Sequence, residues 1–272
     1  MDFTCRKCGK KFFLENIEIC PDCQKELNEF CRSIYKKQPL KNREIDQFSM
    51  TIESILSQTA YISESFKGNT SAFFGGYDGV GLLSTFFNEE KIVLLDIDKR
   101  VLDWWKGIGD ECGFEVITYE YNAHKPLPKE IIQSVNDNII DCWRTDPPFN
   151  CAGMLCFFNR ILHLDKNQAP IYLTIPSGTK WAQLLKHQIF ELIKSNKIIG
   201  VSQDIYKYLA PDAPDSFIYK IEANSPIISN SSFNYSIKRP TRKFANSPYG
   251  CGQYDRCKNW RAAWDKEIKK EI

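Results

Sequence analysis

The stretch DCWRTDPPFN, at residues 141–150, places an acid, two prolines and an aromatic ring in four consecutive positions. The prolines fix φ at about −65° and remove two backbone N–H donors. The carboxylate of Asp146 and the carbonyl group of Pro147 therefore offer acceptors only. Such a set suits a ligand rich in N–H groups, for example an amine, and Phe149 adds a flat apolar face beside it. An ordinary proline-containing turn after a strand is the alternative that this stretch leaves open.

A glycine-rich turn follows the first predicted strand, in the stretch SAFFGGYDGVG at residues 71–81. Because they lack side chains, Gly75, Gly76 and Gly79 would let a nucleoside-type ligand approach the backbone closely. Asp78 supplies an acid in the same turn. A dinucleotide-binding fold would instead show G-x-G-x-x-G, which GGYDGVG does not supply cleanly.

Two further predicted strand ends carry polar side chains that suit an adenosine group. Asp96 ends the strand KIVLLD, Asp98 follows two residues later, and Asn122 ends the strand FEVITYEYN. A carboxylate can accept from both hydroxyl groups of a ribose, each charge-assisted bond being worth about 1.5–3 kcal/mol. An amide can bind an adenine edge. Since ligands of open α/β sheets bind at the carboxyl ends of the strands, the sequence predicts a nucleoside-type donor site there.

Four cysteines near the N-terminus have the spacing of a zinc ribbon. Cys5 and Cys8 form one C-x2-C pair, and Cys20 and Cys23 form a second pair eleven residues later. Four thiolates make a closed tetrahedral site, which is structural because it leaves no open position for catalysis. A segment of about thirty residues has little core of its own, so bound zinc would supply most of its stability.

Composition places the chain among ordinary globular proteins. Its 272 residues carry a net charge of +2, which gives no general argument for nucleic acid or a membrane as partner. No apolar run approaches the roughly 20 residues of a membrane span, and the N-terminus lacks the apolar core of a signal peptide. We therefore expect a cytoplasmic protein whose eleven cysteines are metal ligands and buried thiols, not disulfides.

The elements that position these residues alternate between strands and helices from about Ser71 to Asn224. This alternation predicts a doubly wound, mostly parallel α/β sheet that ends in an antiparallel hairpin. A helix, DKRVLDWWKGIGDECG, should end at Gly113, and another is expected over residues 179–196. The predicted strands are SAFFGG, KIVLLDID, FEVITYEYN, DNIIDCWRTDPP, APIYLTIP, IIGVSQDIYKYL and DSFIYKIEAN.

The sequence divides into four parts. We expect a zinc ribbon at 1–30, a helical connector at 31–68, the α/β domain with the candidate donor site at 69–225 and a basic, aromatic extension at 226–272. The chain should be helical from Glu26 to about Lys67, with a break near residues 36–42. The extension carries ten basic and four acidic residues from Lys238 onward, with tyrosines and tryptophans between them. It is either a tail that docks its tryptophans on the domain or a strip that contacts a polyanion.

These residues together resemble class I S-adenosylmethionine-type transferases with an N-P-P-Y or D-P-P-Y motif. More closely, they resemble the branched-chain polyamine synthase family, the N4-bis(aminopropyl)spermidine synthases. The similarity runs from about Arg43 to Asn224, through REIDQF, VLLDIDKRVLDW, YNAHKPLP and TDPPF. The family's acidic G-D-D-D turn reads GGYD here, so Asp78 alone remains of three acids. Phe149 stands where the family has tyrosine.

The resemblance implies a Rossmann-like sheet of class I methyltransferase type and a sulfonium co-substrate. That donor would be decarboxylated S-adenosylmethionine or S-adenosylmethionine. Asp96 would hold its ribose, Asn122 would lie near its adenine, and Asp146 would orient the attacking amine. Asp46 and Gln47 would help to close the pocket.

Three functions fit these residues. The first is alkyl transfer, preferably of an aminopropyl group, to a polyamine or another small amine. The second is methyl transfer to an exocyclic amino group of a nucleic-acid base, which would have to be unstacked onto Phe149. The third is a non-catalytic zinc-ribbon adaptor that binds a nucleoside. Nucleic acid stays a candidate partner through the ribbon and the extension, and the oligomeric state is open, a dimer included.

Overall fold

The computed structural model of this protein shows an α/β domain built on one central sheet. It describes residues 3–4, 11–12, 20–42, 47, 50–52, 54–56, 58–59, 68–84, 91–148, 151–176, 197–201, 216–222 and 229–232. The predicted helix at 179–196 and all but four residues of the C-terminal extension lie outside these ranges.

The described strands form a small sheet and a large one. The small sheet pairs β1 with β2 antiparallel, and the large sheet has the order β5-β4-β3-β6-β7-β9-β8. The strands are β1 Phe3–Thr4, β2 Lys11–Phe12, β3 Thr70–Phe74, β4 Lys91–Asp96, β5 Glu115–Glu120, β6 Cys142–Thr145, β7 Ile171–Pro176, β8 Lys197–Val201 and β9 Ser216–Glu222.

The large sheet confirms the predicted, mostly parallel α/β architecture. Strands β3 to β7 pair in parallel, and β9 is antiparallel to both β7 and β8, which is the expected terminal hairpin. The chain begins the sheet at β3 and builds outward in both directions, so strand order reverses between β3 and β6. This reversal creates a crevice at the carboxyl ends of these two strands.

Five helices are described from their first residue to their last, and residues 52, 54–56 and 58–59 are also helical. The five helices are α1 Pro21–Lys36, α2 Val80–Ser84, α3 Lys99–Cys112, α4 Lys129–Asn136 and α5 Cys151–Leu164. Helix α3 ends at Gly113, whose φ of 80° is a left-handed conformation that favours glycine, as the sequence predicts. Helix α1 begins at Pro21, five residues before the expected Glu26. Proline is compatible with the first position of a helix, because the N–H group that it lacks would have no partner within the helix there. The expected break after Lys36 is confirmed.

Strands β3, β4 and β6 at the centre of the sheet are buried on both faces, because helices pack on each side. Ala72 and Phe74 of β3 pack into one core cluster together with residues of α5. Phe73, between them, points into the opposite cluster with residues of α1 and α3. Helix α1 contributes Leu27, Cys31 and Ile34 to that second cluster, at a spacing that keeps them on one helical face.

None of the helices in the described ranges combines the length and the apolar character that crossing a membrane requires.

Candidate functional site

A cleft of about 770 Å³, counted with its open mouth, lies at the carboxyl ends of β3, β4, β5 and β6. It has two ends. The β4–β5 end is formed by Asp96 and Asn122, and the β3–β6 end by the turn Gly75–Asp78 and by Asp146. The side chains and backbone that line the cleft are those of Gln47, Phe74, Gly75, Gly76, Tyr77, Asp78, Leu95, Asp96, Ile97, Tyr121, Asn122, Ala123, His124, Asp146, Pro148 and Phe157.

The glycine turn forms the floor of the cleft. Gly75 has a φ of 80° and donates its N–H to the carbonyl oxygen of Leu95 at 2.8 Å. A Cβ atom on Gly76 would lie 2.5 Å from a side-chain carbon of Leu94, so only glycine fits there. Gly79 also has a positive φ, of 68°, but packs against Trp104 and does not line the cleft. Two of the three predicted glycines therefore reach the ligand space.

Asp96 lies at the end of β4 and is 8% exposed. Its two carboxylate oxygens accept backbone N–H groups, one from Gly76 at 2.9 Å and the other from Asp98 at 2.8 Å. Burial raises the pKa of Asp96 to about 6, against the lowering effect of these hydrogen bonds. Each carboxylate oxygen has further lone pairs, so Asp96 can still accept from ligand hydroxyl groups in the cleft.

Asp98 has a different position from the one that the sequence predicts. It caps the N-terminus of α3 by accepting the N–H of Arg100 at 3.0 Å. It also accepts from the Arg100 guanidinium at 2.6 and 3.0 Å and from Nε2 of Gln47 at 2.9 Å. The Arg100 side chain lowers the pKa of Asp98. Asp98 does not line the cleft, but it holds Gln47, which does.

Asn122 follows β5 and faces the cleft with one half of its amide already committed. Its Oδ1 accepts the backbone N–H of His124 at 3.0 Å, and its carbonyl oxygen accepts the N–H of Lys125 at 2.9 Å. The side chain thus stabilises its own turn. The Nδ2 donor is the atom left for a ligand, so Asn122 suits an acceptor nitrogen of an adenine ring.

The loop after β5 is anchored from below by two residues that the sequence did not suggest. Arg160 of α5 is buried and donates to the carbonyl oxygen of Ala123 at 3.2 Å and to Oδ1 of Asn230 at 2.9 Å. Asn230 in turn bonds both the N–H and the carbonyl oxygen of Leu127, at 2.7 and 2.9 Å. These contacts fix the loop that presents Asn122.

Asp78 lies in the glycine turn, and its carboxylate is paired with a buried guanidinium. Nη1 of Arg144 lies 3.1 Å from one carboxylate oxygen and 3.3 Å from the other. Asp78 also accepts the backbone N–H of Val80 at 3.0 Å, at the start of α2. The sequence identified Asp78 as an acid but gave Arg144 no role. Arg144 lies between Trp143 and Thr145 in a strand that the sequence predicts to be buried. A charged residue at such a position indicates that it needs a buried partner of opposite charge.

Asp146 follows β6 and lines the β3–β6 end of the cleft, as the sequence predicts. The strand end is held by Thr145, whose hydroxyl donates to the carbonyl oxygen of Phe74 at 2.8 Å. Pro148 also lines the cleft, whereas Pro147 is buried outside it. Phe149 lies outside the described residues, and so does Asp46.

An apolar wall that the sequence did not predict closes the side of the cleft. Phe157 of α5 lies edge-on against Phe74, with ring centroids 4.8 Å apart. Tyr121 contacts the same Phe74 ring at 5.9 Å. Both aromatic residues lie in elements whose hydrophobic pattern indicates core, so the sequence alone could not assign them to a ligand site.

Helix α1 and the residues after it hold the glycine turn from the opposite side. Tyr35 donates its hydroxyl to the carbonyl oxygen of Asp78, and Gln38 donates to the carbonyl oxygen of Tyr77 at 2.5 Å. The hydroxyl of Tyr77 donates back to the carbonyl oxygen of Pro39 at 3.0 Å. Burial, and then the Asp78 carboxylate, raise the pKa of Tyr35 well above its ordinary value, so its hydroxyl stays a donor.

The structure describes two of the four predicted metal ligands. Cys20 lies at the N-cap of α1 and Cys23 in its first turn, and both are buried. Cys5 and Cys8 lie outside the described residues. Within the described part of the chain, no three His, Cys, Asp or Glu side chains converge on a metal position.

Comparison of the sequence with known proteins gives a specific match. The profile of a family described as the branched-chain polyamine synthase A C-terminal domain matches residues 26–230. A curated relative, the N(4)-bis(aminopropyl)spermidine synthase of Methanocaldococcus jannaschii, is 28% identical over 164 residues. The aligned part covers 58% of this chain and 43% of that relative, so the chain spans less than half of its length.

Solved structures with the same fold include two of the branched-chain polyamine synthase from Thermus thermophilus, both in complex with N4-aminopropylspermidine and 5′-methylthioadenosine. Its C9 mutein has a TM-score of 0.65 at 16% identity, covering 84% of this chain and 77% of that one. The other structure has a TM-score of 0.63 at 15% identity with the same coverage. A candidate RNA methyltransferase from Pyrococcus horikoshii has a TM-score of 0.56 at 9% identity, covering 73% of this chain and 98% of that one. At these identities the likeness shows the fold, a methyltransferase-like α/β sheet.

Proposed function

This chain belongs to the branched-chain polyamine synthase A C-terminal domain family, and from that premise we propose that it transfers an aminopropyl group to an amine. The donor is decarboxylated S-adenosylmethionine. The observation that carries the proposal is the cleft itself, because it joins an end suited to adenosine with an end suited to an amine.

The β4–β5 end of the cleft fits the adenosine part of the donor. The carboxylate of Asp96 is held in place by two backbone N–H groups and retains lone pairs for the two ribose hydroxyls. Asn122 offers an N–H donor to an adenine nitrogen. The floor at Gly75 and Gly76 is flat enough for the sugar to approach the backbone.

The β3–β6 end fits the reacting groups. The amine nitrogen attacks the aminopropyl carbon that is bonded to the sulfonium, a C–N bond forms, and the C–S bond breaks. The electron pair of that bond stays on sulfur, 5′-methylthioadenosine leaves, and the new ammonium loses a proton to Asp146 or to water. Because the sulfonium is already activated, the rate depends on aligning the amine lone pair with the C–S bond.

Asp146 is proposed to be the residue that aligns the amine. Its carboxylate accepts N–H groups of the attacking amine and leaves its lone pair directed at the donor, whereas Pro147, which the sequence suggested as a second acceptor, does not line the cleft. An aromatic ring beside the positively charged sulfonium would stabilise the bound donor through a cation–π contact. Phe149 is the residue that the sequence suggests for this ring, and Phe157 already lines the cleft.

The donor experiment separates the proposed function from its competitors. Calorimetry with S-adenosylmethionine and with its decarboxylated form should show tighter binding of the decarboxylated donor, and mixing it with an amine should release 5′-methylthioadenosine. Preference for the carboxylated donor, with methylation of nucleic acid, would support a base methyltransferase instead. Binding of a donor without transfer to any amine or nucleic acid would support a non-catalytic adaptor.

We also propose a structural zinc site made of Cys5, Cys8, Cys20 and Cys23. Cys20 and Cys23 lie three residues apart at the start of α1, where the helix dipole favours thiolates. Strands β1 and β2 pair in register on either side of the segment that carries Cys5 and Cys8. When bound, the zinc would tie this segment to α1.

Metal analysis tests the zinc proposal. Freshly purified protein should hold about one zinc per chain, and Cys20→Ser should lose it. Cys112→Ser is the matched control, because Cys112 is an exposed cysteine at the far end of α3. Protein without zinc, or a Cys20→Ser variant that retains it, would refute the proposed ligand set.

The division into four parts, the cytoplasmic location, the oligomeric state and a nucleic-acid contact by the extension at 226–272 stay predictions. The acceptor is proposed to be a polyamine or another small amine.

A further inference from the structure

Arg144 is a buried cation beside the proposed reaction site. It lies in β6 opposite Phe73 of β3, on the sheet face that α1 covers, and it is 1% exposed. Its guanidinium pairs with Asp78 at 3.1 Å and donates to the side-chain oxygen of Gln58. Neither the sequence patterns nor the proposed mechanism gives Arg144 a role.

The pair matters because Asp78 is one of two carboxylates at the β3–β6 end of the cleft. Asp78 and Asp146 both line the space where the amine would lie. Together they would carry two negative charges, but Arg144 cancels one. The charge of Asp78 is therefore already paired within the protein.

Stability is a weak reason for such a pair. Removing two charges from water costs about as much as their attraction returns, and well-packed apolar residues often replace buried ion pairs without loss. The backbone of the turn is held independently by Tyr35 and Gln38, which donate to the carbonyl oxygens of Asp78 and Tyr77. The main consequence of the Arg144 charge is that the Asp78 carboxylate is paired within the protein and is less able to bind a ligand ammonium group.

We infer that Arg144 is a specificity-determining residue that fits the site to an amine acceptor of low charge. This inference rests on the proposed aminopropyl transfer. By occupying Asp78, Arg144 removes a carboxylate that would otherwise hold a second or third ammonium group of a polyamine. The substrate class is then a monoamine or a short diamine, and a longer polycation such as spermidine has no advantage.

Three amines with the same four-carbon unit test the inference. Butylamine, putrescine and spermidine carry one, two and three amino groups. Calorimetry in the presence of 5′-methylthioadenosine should give dissociation constants within about tenfold of one another for the parent protein. In Arg144→Met, the uncompensated charge of Asp78 should favour spermidine over butylamine by a further tenfold to hundredfold, as for one charge-assisted hydrogen bond.

Two control variants separate charge from structure. Arg144→Lys keeps the cation and should keep the parent preference. The double variant Arg144→Met with Asp78→Asn removes both charges and should also return to the parent preference, even if Arg144→Met alone folds poorly. Added spermidine should raise the melting temperature of Arg144→Met more than that of the parent or the double variant.

The outcomes decide between a charge role and a structural one. Unchanged amine selectivity in Arg144→Met, in protein that still binds 5′-methylthioadenosine, would overturn the inference. Parent protein that binds spermidine a hundredfold tighter than butylamine would overturn it as well. If no amine is alkylated by the parent, the proposed transfer fails, whereas the binding series still decides whether Arg144 sets charge preference.

Discussion

The two ends of the cleft each contain a buried carboxylate, and the two carboxylates are stabilised in different ways. Asp96, at the β4–β5 end, is held by backbone N–H groups of Gly76 and Asp98. Asp78, at the β3–β6 end, is paired with the guanidinium of Arg144. Both are less than a tenth exposed, so burial does not explain the difference.

The difference shows what each carboxylate can do for a ligand. Backbone N–H groups orient Asp96 without cancelling its charge, so burial raises its pKa to about 6 and it remains a strong acceptor once ionised. A guanidinium both orients and neutralises Asp78. Asp96 can therefore offer its charge to a ligand hydroxyl group, whereas the charge of Asp78 is already paired within the protein.

The largest expected effect tests the proposal that Asp146 aligns the attacking amine. Asp146→Asn should slow transfer by about 10²–10⁴-fold, the range for losing one positioned catalytic group. Asparagine keeps the volume and one acceptor, but it loses the charge and presents N–H donors to an amine that needs acceptors. Release of 5′-methylthioadenosine in single-turnover experiments measures the rate.

Donor affinity is the control for this variant. Because Asp146 lies at the other end of the cleft from Asp96, donor binding by Asp146→Asn should match the parent protein. An equal transfer rate in both proteins would mean that the motif is only a proline-containing turn.

The next effect tests the charge at the β4–β5 end. Asp96→Ala should weaken binding of 5′-methylthioadenosine and of the donor by roughly 2–4 kcal/mol, because two ribose hydroxyls lose one charged acceptor. Calorimetry measures the change. Unchanged affinity would show that the ribose does not bind at the end of β4.

A pH series tests the raised pKa of Asp96. A carboxyl group with a pKa of about 6 is protonated below that pH, so donor affinity should fall by about tenfold per pH unit below 6. Affinity should be constant above about pH 7. In Asp96→Asn, which cannot ionise, the affinity measured by calorimetry should be weaker and nearly independent of pH over the same range.

The same pKa predicts the sign of a stability change in the protein without ligand. The folded-state pKa of Asp96 is above its ordinary value of 3.8. The group therefore contributes stability that is full below about pH 4 and is lost as the pH rises through 6, on the order of 2–3 kcal/mol. Donor bound at pH 7 should offset part of this loss, as thermal unfolding with and without 5′-methylthioadenosine would show.

The smallest expected effect concerns the contact between α1 and the glycine turn. Tyr35→Phe removes the hydroxyl that donates to the carbonyl oxygen of Asp78, which is worth about 0.5–1.5 kcal/mol. Donor affinity should fall a few-fold if the turn shifts, with little change in the acceptor preference. Tyr119→Phe is the matched control, because its hydroxyl contacts Ser134 away from the cleft.

Hydrophobic patterning predicts the strands and most of the site. The positions of Asp96, Asn122 and Asp146 follow from where each buried strand ends, because parallel strands bring their carboxyl ends to one edge of the sheet. Gly113 and the terminal hairpin could be predicted for the same local reasons. Helix α5 was not predicted, because its residues 151–164 are mostly apolar and do not show the separate apolar and polar faces that mark a surface helix.

Partner choice could not be predicted in the same way. Asp98 looked like a ligand for the donor until the structure placed Arg100 and Gln47 around it. Arg144 and Asp78 are 66 residues apart in the chain, and only the adjacency of β3 and β6 brings them together. Local propensity contains no information about such long-range pairs.

The sequence by itself determined which carboxylates stand at the strand ends, because alternating strands and helices admit few arrangements. Only the tertiary structure decided which of those carboxylates keeps its charge for a ligand. The physical reason is that the charge of a buried acid depends on what surrounds it in space: backbone N–H groups for Asp96, and a guanidinium from another strand for Asp78.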